Sequence, residues 1–146
     1  GGGDWSTYWY NGHIYGAEIA RGVDIFRLKP SADLSENELA AANAMRRDVF
    51  NAQHQPKMTW PATPVVGRAY LDQLTRSGAL TSSRARTVKK ALDRAERADS
   101  GGDKRRAAED LDKAITEVQA VQFAAKDGKR VEALVTTMKT LSAALR

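Results

Sequence analysis

The sequence predicts an α+β protein, mainly α: a three-stranded antiparallel meander, one capped helix, then a four-helix bundle. Three observations carry that expectation. Aromatic and β-branched residues crowd the first 28 positions, with Asn11-Gly12 between two such runs. After position 65, apolar residues recur at steps of three and four in four successive stretches. Between these regions, Ser35-Glu36-Asn37-Glu38 has the composition of a helix start. The expected segments are 1–30, 31–64 and 65–146.

Gly1-Gly2-Gly3 reads as a loop or an expression remnant. Trp5 to Tyr10 is rich in the residue types strands favour. Asn11-Gly12 is the dipeptide a type I′ hairpin prefers, because both central positions need positive φ. His13 to Ile19 is the return strand, Ala20-Arg21-Gly22 a second turn, and Val23 to Leu28 the third strand. Six of the ten aromatic residues fall before position 27, more apolar surface than three strands bury among themselves. The meander is therefore expected to need a partner sheet that the chain does not contain.

The helix that follows Lys29-Pro30 starts at a capping box. The Ser35 hydroxyl can accept from the Glu38 amide while the Glu38 carboxylate reaches back, and Leu34 and Leu39 are spaced as a hydrophobic staple. Leu39, Ala42, Met45 and Val49, joined by Phe50, form its expected buried face. Residues 51–64 lose periodicity and carry Pro56, Pro61 and Pro64, so they read as an extended linker in which Trp60 needs a surface to cover.

The region from 65 onward reads as four amphipathic helices. Tyr70, Leu71 and Leu74 mark the first, closed by Ser77-Gly78. Thr81 or Ser82 caps the second, whose stripe is Ala85, Val88, Leu92 and Ala95. Ser100-Gly101-Gly102 breaks the chain and Asp103 starts the third. Its stripe, Leu111, Ile115, Val118 and Ala125, is widened by Val121 and Phe123, and Asp127-Gly128 is expected to end it. Val131, Leu134, Met138, Leu141 and Leu145 line the last. Helices with one apolar stripe and short connections bury one another. The many inward alanines imply close approach and a lean core.

Composition sets further bounds. The chain has 146 residues, no cysteine and 42% hydrophobic residues, so disulfides and cysteine-ligated metals are excluded. No run is long and apolar enough to span a membrane. The net charge of +5 sits entirely in residues 81–146, which hold 15 Lys and Arg against 10 Asp and Glu, whereas residues 1–80 balance at 8 against 8. A basic helical region can meet nucleic acid, an anionic polymer or an acidic protein face. Interspersed acids favour a solvated surface instead.

The aromatic front end resembles a known pattern. Trp5-Ser6-Thr7-Tyr8-Trp9-Tyr10-Asn11-Gly12-His13-Ile14-Tyr15, followed by Gly22-Val23-Asp24-Ile25-Phe26, is similar to the final blade of bacterial secreted proteins with LVIVD repeats. In that family an "IY" strand, a glycine turn and a "GLDVF"-type strand repeat around a β-propeller. One copy is present where a propeller needs several, so the resemblance implies a C-terminal piece of a longer protein, partnered by the remaining blades or another chain. Leu92-Asp93-Arg94-Ala95-Glu96, Ala107-Ala108, Leu111-Asp112 and Gly128-Lys129 resemble FIMAH-type helical domains, appendages of secreted bacterial hydrolases and surface proteins. That resemblance implies a non-catalytic interaction or spacer role.

No catalytic residue, cofactor site or metal site is predicted. His13 and His54 lack a second ligand at a metal-binding interval, although Tyr10 and Tyr15 can share the face of His13. Glu18 and Asp24 on neighbouring strands could approach as an acid–base pair. The expectation is instead that Asp24 bonds turn backbone and Glu18 faces solvent or pairs with Arg21. Asp110 and Asp112 point to different helix faces and read as solvation. Gly101-Gly102-Asp103-Lys104 lacks the strand and spacing of a phosphate-binding loop.

The candidate anion-binding residues are Lys104, Arg105 and Arg106, whose charges oppose the dipole of the helix they begin while its free amides favour an anion. Arg84, Arg86, Lys89, Lys90, Arg94 and Arg97 spread around their helix without aromatic residues to stack bases, which argues against nucleic acid.

The expected function is therefore structural or binding: a non-catalytic C-terminal segment of an exported β-propeller protein. Its helical bundle would be an attachment module for protein or an anionic polymer at the cell envelope. The rival expectations are an accessory part of a secreted hydrolase whose active site lies in missing blades, and binding of anionic polymer or nucleic acid by the basic bundle. Secretion or envelope association rests on the resemblance alone.

Overall fold

The computed structural model describes residues 3–49, 51–54 and 57–146; Gly1, Gly2, Phe50 and Pro56, named above, lie outside them. A three-stranded antiparallel sheet precedes five α-helices, so the fold is α+β and mainly α. The chain divides into two compact units, Gly1–Trp60 and Pro61–Arg146.

The first unit holds β1 (Asp4–Tyr10), β2 (His13–Glu18), β3 (Gly22–Phe26) and α1 (Glu36–Asn43). The strands lie in the order β1-β2-β3. At the first turn Asn11 has φ 49° and Gly12 φ 91°, the pair of left-handed residues the dipeptide predicts. The register slips between Asp4 and Ser6, which makes Trp5 the extra residue of a bulge. From there the pairing places Tyr8, Tyr15 and Ile25 in one cross-strand row and Trp9, Ile14 and Phe26 in the next. Successive rows face opposite sides, so both faces of the sheet are apolar.

The helix α1 begins as expected. Ser35 Oγ accepts from the Glu38 amide at 3.2 Å and Glu38 Oε2 accepts from the Ser35 amide at 2.7 Å. Its end departs from the expectation: the helix stops at Asn43 with Ala44 as C-cap, and Val49, placed on the buried face by spacing, is 86% exposed. The reason is tertiary. The Arg47 amide donates to Asn11 Oδ1 at 2.9 Å, and the Arg47 carbonyl accepts from Asn11 Nδ2 and from the Tyr10 hydroxyl. Backbone groups that would continue a helix are engaged by the hairpin tip instead. Gly12 completes the contact, because a Cβ there would stand 2.6 Å from Asn43 Oδ1. Beyond this, Ala52–His54 forms one 3-10 turn.

The second unit holds α2 (Pro64–Arg76), α3 (Ser82–Asp99), α4 (Lys104–Gln119) and α5 (Ala125–Ala144). Thr63, Thr81 and Asp103 cap the first three through side-chain oxygens, and Pro64 sits at the first helical position, where a missing amide hydrogen does no harm. Gly78 leaves α2 at φ 73°, as a helix end favours. Each helix packs on its neighbour in sequence, and α5 also packs on α2. Leu74, Leu92, Leu111, Leu134 and Met138 are the largest fully buried side chains of the shared core, and alanines fill much of the remainder.

One boundary is corrected. Asp127-Gly128 does not end the third helix. The helix α4 closes at Gln119 with Ala120 as C-cap, and Asp127 and Gly128 lie inside the first turns of α5. The Ala124 cap supplies no side-chain hydrogen bond, so the start of α5 has no sequence signal stronger than the Asp-Gly pair after it. Asp127 is placed instead where a carboxylate favours a helix N-terminus.

Candidate interaction site

Three features of the first unit bear on function: an open sheet face, a clamped turn and a cleft. On the open face, Tyr8 is 51%, Val23 66% and Ile25 61% exposed. Tyr15, in the same row as Tyr8 and Ile25, stacks loosely on its neighbours, with ring centroids 6.5 Å from Tyr10 and 6.3 Å from His13. The expected sharing of a face by His13, Tyr10 and Tyr15 is observed. Arg27 stands beside His13, its Nη2 3.2 Å from Nε2. Since arginine only donates, Nε2 is the acceptor.

At the opposite end of the sheet, Glu18 pairs with Arg21, the second of its two expected states, with Oε2 3.6 Å from Arg21 Nε. It is buried, not solvated. Its Oε2 accepts from the amides of Ala20 at 2.7 Å and Arg21 at 2.6 Å, and its Oε1 accepts from Gly3 at 3.2 Å. These bonds, the one from Ala20 foremost and that from Arg21 next, hold its carboxyl below the ordinary value of 4.5. Asp24, expected to bond the turn backbone, instead meets the Arg21 guanidinium at 2.9 Å. Arg21 thus stands between the two carboxylates, a turn-closing arrangement and not an acid–base pair. An acid beside a glycine-containing turn with an arginine three residues on is the signal that identifies it.

The cleft lies between the hairpin tip and α1 and encloses about 470 Å³. Trp9, Leu39, Met45 and Trp60 give it apolar walls, and His13, Arg27 and Arg46 line it as well. Trp60 remains 43% exposed there. No local pattern in the sequence joins the tip of a hairpin at Asn11-Gly12 to a helix that begins at Glu36, so this site is visible only in three dimensions.

In the second unit, Lys104, Arg105 and Arg106 occupy the first turn of α4 and are exposed. The carboxylate of Asp103 accepts from the Arg106 amide at 3.0 Å, and Arg105 Nε lies 3.2 Å from Glu109 Oε1. An acidic cap therefore already sits at the helix end where an anion would bind. His54 is exposed at the end of the 3-10 turn, 3.5 Å from Asn51 Nδ2. Among the described residues no group of His, Asp and Glu could hold a metal ion.

The charges of this unit have a structural use that spacing alone did not suggest. Asp110 and Asp112, read above as solvation, each tie a neighbouring helix. Asp110 pairs with Arg94 of α3. Asp112 accepts from Ser142 of α5 at 2.8 Å and pairs with Arg146. Arg68 of α2 completes the series on α3, with a two-point contact to Glu96 at 2.8 and 3.0 Å and a longer one to Asp93. The Glu96 bond leads in holding the guanidinium proton more firmly than usual. These basic residues face acids across helix seams and are not presented as a stripe.

No family model, curated protein or solved structure matches the chain.

Proposed function

We propose that the sheet of the first unit is one layer of a larger β assembly, the last blade of an LVIVD-type propeller, and that the helical unit is an interaction module attached to it. The protein is then a non-catalytic structural or binding component of an exported envelope protein. One observation carries this reading: a sheet apolar on both faces leaves Tyr8, Val23 and Ile25 in solvent. Exposed contiguous apolar surface marks an interaction site, and a twisted apolar sheet face is best covered by another sheet packed about 10 Å away. Partners of this kind are the remaining blades, on the same polypeptide or another.

A photo-crosslinking residue placed at Ile25 in the native host tests the reading. The expected adduct is a β-rich peptide carrying the same strand–turn–strand pattern. A chain that stays monomeric and free of adducts, and whose solubility is unchanged when Tyr8, Val23 and Ile25 are replaced by serine and threonine, would overturn it.

A further inference from the structure

We infer that the cleft between the hairpin tip and α1 binds a small amphipathic anion: a carboxylate carried on an aromatic or aliphatic body. A cleft of about 470 Å³ falls in the range of small-molecule sites, roughly 300–1,000 Å³. Its walls pair indole and aliphatic surface, from Trp9, Trp60, Leu39 and Met45, with two guanidinium groups, from Arg27 and Arg46.

The state of those two arginines sets the ligand's charge. Elsewhere in the chain Arg21, Arg68, Arg94, Arg105, Arg130 and Arg146 each face a carboxylate. Arg27 and Arg46 have none among the described residues, as is also true of Arg84, Arg86, Arg97 and Arg106, but these two line a cleft with indole and aliphatic walls, and Arg27 lies 3.2 Å from His13 Nε2. The acid that lines the cleft, Glu38, is committed to the Ser35 amide at 2.7 Å in the capping box. Two cationic donors thus line the apolar wall against a single carboxylate, Glu38, whose Oε2 is taken by the Ser35 amide. A guanidinium fork matches a carboxylate in two parallel hydrogen bonds, stronger than neutral ones, while the indoles take a flat apolar body. The concavity favours a small molecule over a polymer, whose backbone needs an open basic track.

Calorimetric titration of the full chain with naphthoate and with its neutral counterpart naphthamide is the test, with amide chemical shifts to place the ligand. Naphthoate is expected to bind about tenfold or more tightly than naphthamide, the effect of one or two charge-assisted hydrogen bonds at a partly exposed site. The double variant Arg27→Gln/Arg46→Gln should reduce naphthoate to the level of naphthamide and leave naphthamide unchanged. Both positions are exposed, so the variant keeps the fold. Shifts should gather on Leu39, Ala42 and Met45. Equal affinity for the two compounds, indifference to the double substitution, absence of binding at millimolar ligand, or shifts gathered on Tyr8, Val23 and Ile25 would each overturn the inference.

Discussion

The two units of this chain use apolar residues in opposite ways. Among the described residues, the second unit buries 21 apolar side chains, from Val66 to Leu145, whereas the first fully buries one, Ala41. Conversely, all ten exposed large apolar residues, from Trp5 to Trp60, belong to the first. Periodicity explains the difference. A helix collects its apolar residues on one stripe, and four stripes can close on one another. A strand alternates, so a sheet with apolar residues at consecutive positions is apolar on both sides and needs a layer on each. One α-helix covers part of one side. The first unit therefore leaves apolar surface open in a way the second does not.

The largest expected effect distinguishes the two cores directly. Leu92→Ala removes a fully buried side chain and should destabilise the helical unit by about 2–5 kcal/mol in denaturant unfolding. Ile25→Thr, on the open sheet face, should change stability by about 0.5 kcal/mol or less while lowering self-association in sedimentation. A comparable loss from both substitutions would mean that the chain itself covers the sheet.

Asn11→Ala comes next. It removes a residue that tolerates positive φ and both side-chain bonds to the Arg47 backbone, and should cost about 1–3 kcal/mol of local stability. Hydrogen exchange at the Arg47 amide should accelerate, with the helical unit untouched.

The smallest effect concerns acid. The Glu18 carboxyl is held low by turn amides, so its contribution is present above the ordinary value near 4.5 and is lost as pH falls through the lower folded value. Amide shifts of Ala20 and Arg21 should follow that loss in acid below about pH 4.5, and Glu18→Gln should abolish the transition.

Much of the local structure was legible. The Asn11-Gly12 turn, the Ser35–Glu38 box and the caps at Thr81 and Asp103 are signals whose chemistry acts within four residues, and they stand where the sequence places them. The misread features depend on distance. The spacing of Met45 and Val49 suits a longer helix, but Asn11 takes the Arg47 backbone from 36 positions away. Asp110 and Asp112 look solvated until α3 and α5 bring Arg94, Ser142 and Arg146 to them. The start of α5 was missed for a different reason, since Ala124 provides no cap. The cleft had no linear signature, because its arginines and tryptophans come from four separated parts of the chain.

The alanine-lined seams of the helical unit set its mutational tolerance. Ala91, Ala95, Ala98, Ala107, Ala108 and Ala114 have almost no exposed surface, and a side chain with only a Cβ has little to lose by truncation. Enlargement is another matter, because added methylenes push apart helices that already touch and commonly cost about 1–3 kcal/mol. Random variation in this unit should therefore be harshest at its smallest residues, and any lineage that bulks one seam must shrink the facing one.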